Sequence, residues 1–230
     1  MNMKIGNCLR SALQLGLTCC FALACTASTS AAQTASEKTP RADRPPRALI
    51  EMGNAAAYLF DAARDDRWDD ATYQLQAIQT QLHDLPSSLA PADVWKSLRR
   101  RTRQLGVYVR RRDKVRTMET ANATTRLAAD LSRTFDVTVP IQVPLLAYLG
   151  RQLEVAVAGH DKARLRRAKS DLVQTWNTLR PQLEQRGKVD DVRRLTDIVV
   201  SLEGTQQLDE IERLARAELD DVERLRSTFR

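Results

Sequence analysis

Apolar residues recur every three or four positions along most of this chain, a spacing that predicts amphipathic α-helices. One such stripe comprises Trp68, Ala71, Leu75, Ile78 and Leu82. A second comprises Leu165, Ala168, Leu172, Trp176 and Leu179. The alternating run at 137–139 is too short for a strand and ends at Pro140. The pattern therefore predicts an all-α fold.

Start and stop signals divide this pattern into about seven helices, which we expect to pack as antiparallel hairpins in one bundle. Pro45 and Pro46 precede the first helix, and Pro86 stops the second. The third begins at Pro91 and can continue to Phe135. The predicted helices are Arg47–Asp65, Trp68–Leu85, Pro91–Phe135, Pro144–Ala158, Asp161–Leu179, Val189–Leu202 and Gln206–Phe229.

The two stripes also resemble each other in spacing. Trp68, Ala71 and Leu75 match Leu165, Ala168 and Leu172 in order and interval. Each stripe follows a helix with an alanine at or near its end, Ala63 or Ala158, and a turn that contains aspartate. A duplicated hairpin would produce this likeness, and so would any two amphipathic helices. Both interpretations stay open at this stage.

The first residues have the composition of an export signal. Lys4 and Arg10 give a basic start, and an apolar run (SALQLGLTCCFALA) follows at residues 11–24. This run is shorter than the ~18 apolar residues typical of a membrane-spanning helix. We therefore expect residues 1–24 to be a signal peptide and the protein to be exported.

Two cleavage sites fit this signal. The stretch 21–25 (FALAC) resembles the lipobox of bacterial lipoproteins, which implies lipid attachment at Cys25. Thr26 follows that cysteine, and the resemblance then implies sorting to the outer membrane. Alternatively, Ser30-Ala31-Ala32 gives the small-x-small pattern for removal of residues 1–32. Cleavage before Cys25 predicts an outer-membrane lipoprotein that faces the periplasm. Cleavage after Ala32 predicts a soluble periplasmic protein.

Residues 25–47 are rich in Ser, Thr, Ala and Pro, so we expect a disordered tether there. The helical bundle domain is then residues 48–230. All four cysteines (Cys8, Cys19, Cys20 and Cys25) lie before it, so the expected domain has no disulfide and no thiolate chemistry.

Charge and motifs restrict the function classes further. The chain carries 36 basic and 29 acidic residues, a net charge of +7 that is too modest to indicate a polyanion partner by itself. Aromatic residues make up 5%, so nucleic acid is not an expected partner. Neither His83 nor His160 has a metal-binding or catalytic spacing around it, and no nucleophile motif occurs. We expect no enzyme activity, no cofactor and no metal.

The most distinctive feature of the expected domain is a basic stretch in the third helix. At 100° per residue, seven of its basic side chains fall in one sector, opposite Val94, Leu98, Leu105 and Val109. The seven candidate anion-binding residues are Lys96, Arg99, Arg100, Arg103, Arg110, Arg111 and Lys114. Arg101, Arg112 and Arg116 fall on the apolar side instead. The alternative to anion binding is that this face is only exposed to solvent. Its positive charge would then be balanced by neighbouring acidic residues, such as those of the last helix.

These observations favour a non-catalytic envelope protein, a lipid-tethered or periplasmic helical module that binds an envelope protein partner. The alternative is a protein that binds anionic lipid or another phosphate-bearing envelope component through the basic stretch at residues 96–116.

Overall fold

The computed structural model describes residues 44–135 and 138–229. These residues form eight α-helices and one short 3₁₀ turn at Ser87–Leu89, without a strand, which confirms the all-α prediction. The helices are α1 (Arg47–Arg64), α2 (Trp68–Asp84), α3 (Ala92–Arg110), α4 (Lys114–Ser132), α5 (Gln142–Ala158), α6 (Lys162–Gln185), α7 (Val189–Gly204) and α8 (Leu208–Ser227).

The predicted signal peptide at residues 1–24, the lipidation site at Cys25 and all of the predicted tether up to residue 43 lie outside the described residues. None of the eight helices combines the length and apolar character needed to cross a lipid bilayer.

The eight helices form two groups of four with the same packing order. In the first group, α1 packs against α2 and α4, and α3 contacts the same two helices. In the second, α5 packs against α6 and α8, and α7 also contacts both. Each group encloses its own apolar core, with Phe60 and Ile78 fully buried in the first and Leu172 and Trp176 in the second. The chain therefore builds one four-helix arrangement twice.

Helix α5 joins the two groups. It packs against α4 of the first group, and its Val155 belongs to the first core. Leu153 and Ala156, which lie within two positions of Val155 on that helix, belong to the second core. Because α5 is covered on both sides, polar residues on it are forced into the interior.

Four helix-to-helix turns share one backbone geometry. Asp66, Arg112, His160 and Gly187 each adopt a left-handed conformation, with φ between 52° and 70°. After each of them, the next amide donates a hydrogen bond back into the preceding helix, as Asp161 does to the Ala156 carbonyl at 2.9 Å. Asp161 then caps α6 by accepting hydrogen bonds from the amides of Ala163 and Arg164.

The turn geometry changes the register of the internal likeness. Asp66 and His160 occupy equivalent positions in the α1–α2 and α5–α6 turns. The counterpart of Trp68, the first residue of α2, is therefore Lys162 and not Leu165. The two hairpins therefore have the same turn geometry and the same packing. The alignment by apolar spacing, however, is shifted by about one helical turn from the alignment that the turns define.

The long third helix expected from the sequence is two helices, which raises the count from seven to eight. Helix α3 ends at Arg110, the chain reverses through Arg111 and the left-handed Arg112, and Asp113 caps α4 by accepting from the Arg116 amide. Helix α6, in contrast, is longer than the sequence predicts. It continues through Pro181 to Gln185, because the buried Leu183 anchors its last turn in the second core.

The α3–α4 turn generates a test of this correction. A non-glycine residue in the left-handed region is strained by about 1–2 kcal/mol, so Arg112→Gly should raise the free energy of unfolding by about 1 kcal/mol. Arg111→Gly is the matched control, because Arg111 has helical angles and glycine there should bring no gain. Urea denaturation of both variants measures the difference. Equal destabilisation by the two substitutions would contradict the turn and favour a continuous helix.

Candidate functional site

The exposed side of α3 carries a group of basic residues. Leu98, Leu105 and Val109 are buried in the first core, which fixes the orientation of the helix. The opposite side faces solvent. We call it the α3 basic face, and its exposed residues are Lys96, Arg99, Arg100, Arg103 and Arg110.

None of these five cations forms an ion pair or a side-chain hydrogen bond with another of the described residues. Basic residues on α7 and α8 behave differently. Arg193 pairs with Asp190 at 3.2 Å, Arg213 with Glu210 at 2.6 Å, and Arg226 with Glu223 at 3.1 Å. Four acidic residues of the last helix, Glu210, Glu212, Asp221 and Glu223, are thus paired with arginines of the second group, and no described acidic residue pairs with the α3 basic face. The α3 basic face has its positive charge available for an outside partner.

Two of the seven residues predicted for one helical sector lie elsewhere. Arg111 is the exposed residue that follows the last turn of α3. Lys114 begins α4, and its ammonium donates a 2.8 Å hydrogen bond to Asp66 in the α1–α2 turn. The prediction of a single seven-residue sector is therefore wrong, because the chain reverses at Arg112 and only five of the residues remain on α3.

The three arginines assigned to the apolar side have separate environments. Arg101 is half-buried, and its Nε has no hydrogen-bond partner among the described residues. Arg112 is exposed in the α3–α4 turn. Arg116 pairs with Asp113 at 3.7 Å and lies 5.7 Å above the ring centre of Tyr108. The turn thus relieves most of the conflict that a continuous helix would create.

Trp95 adds an aromatic element beside the α3 basic face. Its indole Nε1 donates to the Ser87 carbonyl at 3.0 Å, which holds the ring in place. The Arg99 guanidinium lies 5.9 Å above the ring centre. Trp95 and Arg99 line two shallow hollows of about 400 and 430 Å³. An anion at this face would meet guanidinium groups next to an amphipathic ring.

A second charged site, which the sequence does not predict, lies where α1, α5 and α8 meet. The carboxylate of Glu154 on α5 is 3% exposed, and that of Glu218 on α8 is fully buried. We call this site the interior charge cluster, and it consists of Asp61, Arg64, Arg151, Glu154 and Glu218. Arg64 and Arg216 each approach Glu154 Oε1 at 3.4 Å. Both oxygens of Glu218 lack a hydrogen-bond partner among the described residues.

Burial dominates the protonation of these carboxyl groups. It raises the pKa of Glu154 to about 7, against the lowering effect of Arg64 and Arg216. Burial also raises the pKa of Glu218 well above its ordinary value, and that of Asp61 to a smaller extent. Burial therefore favours the protonated form of Glu218.

Gly150 on α5 makes room for the Glu218 carboxyl group. A Cβ atom at this position would overlap Glu218 Oε2 and would lie 3.1 Å from Leu219 Cδ2. The only signals in the sequence are a glutamate that interrupts the apolar seam of α8 and one that lies within the apolar run of α5.

The aspartates around the first hairpin turn are engaged with cations. Asp61 pairs with Arg64 at 3.1 Å, Asp65 with the same arginine at 2.8 Å, and Asp70 with Arg67. Within residues 44–135 and 138–229, no three His, Asp or Glu side chains converge as metal ligands would.

The interior charge cluster generates a pH prediction. The pKa of Glu154 is higher in the folded state (about 7) than in the unfolded state (4.5), so the folded protein binds more protons in that interval. The free energy of unfolding should therefore fall as pH rises, by on the order of 2 kcal/mol between about pH 5.5 and pH 8 from Glu154 alone. Glu218 and Asp61 act in the same direction. Asp65, whose lowered pKa has the opposite effect, is already ionised over this range.

Urea denaturation at several pH values measures this slope. Glu154→Gln should flatten it, because the amide cannot ionise. Glu203→Gln, which changes an exposed glutamate on α7, should keep the wild-type slope. Stability that increases above pH 5.5, or an unchanged slope in Glu154→Gln, would contradict a buried, proton-binding Glu154.

The contact at Gly150 generates a second stability prediction. Gly150→Ala should destabilise the protein by about 1–3 kcal/mol, because the added methyl group displaces a buried carboxyl group. Gly106→Ala on α3 is the matched control, since its Cβ would meet Arg110 Nη1 at 3.5 Å, an ordinary contact. It should stabilise α3 by up to about 1 kcal/mol. In a Glu218→Ala background the cost of Gly150→Ala should largely disappear, and a persisting cost would exclude this contact as its cause.

Comparison with known proteins identifies no matching family model, no matching curated protein and no matching solved structure. A function for this chain therefore has to be inferred from its own side chains.

Proposed function

We propose that this protein is a non-catalytic, exported binding module, and that the α3 basic face is the surface with which it contacts anionic phospholipid. The observation that carries this proposal is the exposure of five cations on one helix, without an ion pair to any described residue. A solvated face that serves only solubility is normally interspersed with acidic residues, as α7 and α8 are.

The chemistry of the face suits phosphate-bearing head groups. Arginine presents a planar fork of donors that matches phosphate oxygens, and four of the five cations are arginines. Each Lys or Arg near an anionic membrane surface contributes about 1 kcal/mol of attraction. Trp95 lies beside these cations, and tryptophan is enriched at membrane interfaces because one part of its ring is apolar and another donates a hydrogen bond.

The proposal also gives the N-terminal signal a role. A single lipid chain binds a membrane only marginally, and stable attachment needs a second contact such as a basic patch. If Cys25 carries lipid, the α3 basic face supplies that second contact. We propose residues 25–47 as the tether that lets the bundle reach the surface, and the outer-membrane or periplasmic location as the setting.

Vesicle binding tests the proposal. The chain from residue 25 onward, with Cys25→Ser so that no lipid is attached, should sediment with vesicles that contain phosphatidylglycerol but not with pure phosphatidylcholine. Binding should weaken strongly between about 50 and 200 mM salt, because the contact is electrostatic. The triple variant Arg99→Gln, Arg100→Gln and Arg103→Gln should lose about a hundredfold in affinity, given the contribution of each cation.

A second triple variant separates the α3 basic face from net charge. Lys162→Gln, Arg166→Gln and Arg167→Gln remove the same charge from exposed positions on α6 and should leave vesicle binding nearly unchanged. Equal losses in the two triple variants would show that overall charge alone drives binding. Absence of binding at low salt would reject the proposal and would favour a protein partner.

A further inference from the structure

A cleft of about 780 Å³ opens between α1, α4 and α5, away from the α3 basic face. It is larger than the hollows beside Trp95 and lies within the roughly 300–1,000 Å³ range of small-molecule sites in proteins. Its floor is closed, because α1 and α4 approach closely: a Cβ atom at Gly53 would lie 3.3 Å from the Cβ of Ala128.

The walls of the cleft are mainly apolar. Leu49 and Ile50 contribute from α1, Pro144 and Ala147 from α5, and Val139 from the segment before α5. Ile50 is 49% exposed, although a large aliphatic side chain is ordinarily buried. An alkyl chain that lay along these walls would remove the exposed part of Ile50 from water.

The charged residues of the cleft are all of one sign. Four arginines line it, and no acidic side chain lies among its described lining residues. The four are Arg44 before α1, Arg133 after α4, Arg151 on α5 and Arg226 on α8. They come from four separate segments, so the fold and not a local sequence pattern brings these cations together. Arg226 is paired with Glu223 at 3.1 Å, so Arg44, Arg133 and Arg151 are the ones without an ion pair among the described residues. An apolar cleft with this charge favours a ligand that is both apolar and anionic.

Arg151 is the most informative of the four. Its Nε atom is buried without a hydrogen-bond partner, and the guanidinium forms no hydrogen bond or ion pair with any described residue. Its partial compensation comes from the Phe60 ring, whose centre is 5.7 Å from the guanidinium carbon, and from the negative charges of Asp61 and Glu154 at longer range. A partly buried guanidinium without a directly bonded anion is incompletely compensated, and a ligand carboxylate would supply that bond.

We propose that this cleft binds a long-chain carboxylate, with its alkyl chain along the apolar walls of α1 and α5 and its head group on Arg151. The site is separate from the α3 basic face and does not require a membrane. The ligand is a single-chain anionic amphiphile, whereas α3 contacts a surface of many phosphates.

Isothermal titration of the chain from residue 25 onward, with Cys25→Ser, tests the site with dodecanoate below its micelle concentration. We expect saturable binding at one site per chain. Dodecanol, which has the chain without the charge, and acetate, which has the charge without the chain, should each bind at least about tenfold more weakly. Equal affinity for dodecanol would show that the arginines are not used, and equal affinity for acetate would show that the apolar walls are not used. Either result overturns the proposal.

Variants locate the ligand within the cleft. Arg151→Met keeps the length of the side chain but removes the charge, and it should weaken dodecanoate binding about tenfold or more. Ile50→Glu places a carboxylate at an already half-exposed position of the cleft and should also weaken binding. Val200→Glu, an equivalent change at an exposed valine of α7, is its control and should bind normally.

The α3 triple variant separates the two proposals. It should bind dodecanoate as well as the wild type does, even though we expect it to lose its binding to vesicles. Loss of dodecanoate binding in that variant would place the ligand on α3 and would overturn the cleft proposal. If Arg151→Met does not fold, the Ile50→Glu and Val200→Glu pair and the three-ligand comparison still decide the outcome.

Discussion

The double burial of α5 is the constraint on which the rest of this structure depends. Neighbouring residues of this helix face two different apolar cores: Val155 belongs to the first, and Leu153 and Ala156 belong to the second. A helix covered on both sides leaves its polar residues little access to water. Arg151 and Glu154 are therefore partly or fully buried, and the charges of α1 and α8 that approach them follow from that burial. The interior charge cluster is thus a consequence of joining two four-helix groups through one shared helix.

The helices could be predicted because their information is local. The spacing of apolar residues, the prolines before α1 and Asp161 before α6 each act over a few residues. The α3–α4 turn could not be predicted in the same way. Its left-handed position is occupied by Arg112, where glycine or asparagine is usual, and basic residues continue on both sides of it. The sequence contains one faint sign, the cap residue Asp113. Pro181 misleads in the other direction, because tertiary packing of Leu183 outweighs the missing amide.

The α3 basic face and the interior charge cluster also differ in how far the sequence predicts them. The α3 basic face is a property of one amphipathic helix, so helical periodicity already places Lys96, Arg99, Arg100 and Arg103 together. The interior charge cluster needs α1, α5 and α8 at once, and the separations between Asp61, Glu154 and Glu218 in the sequence carry no sign of their proximity. The same holds for the cleft, whose four arginines come from four segments. Charged residues on the surface of one helix can be recognised from the sequence. Charged residues that are brought together only by the packing of several helices cannot.

The two helix groups share a packing order, but α3 in the first group uses charge differently from α7 and α8 in the second. In the second group, Arg193, Arg213 and Arg226 are each paired with an acidic residue three positions away, so the surface of α7 and α8 is largely neutralised from within. In the first group, the exposed cations of α3 form no ion pair with a described residue. In water each attracts an anion weakly, and salt screens the attraction. Arg151, at the junction, is partly desolvated, and an anion that reaches it is attracted more strongly because less water competes. An exposed, multivalent surface suits a membrane with many phosphates, whereas a desolvated guanidinium in an apolar cleft suits a single carboxylate. Arginine would thus serve two kinds of anion in this protein, and the burial of each arginine would determine which anion it binds.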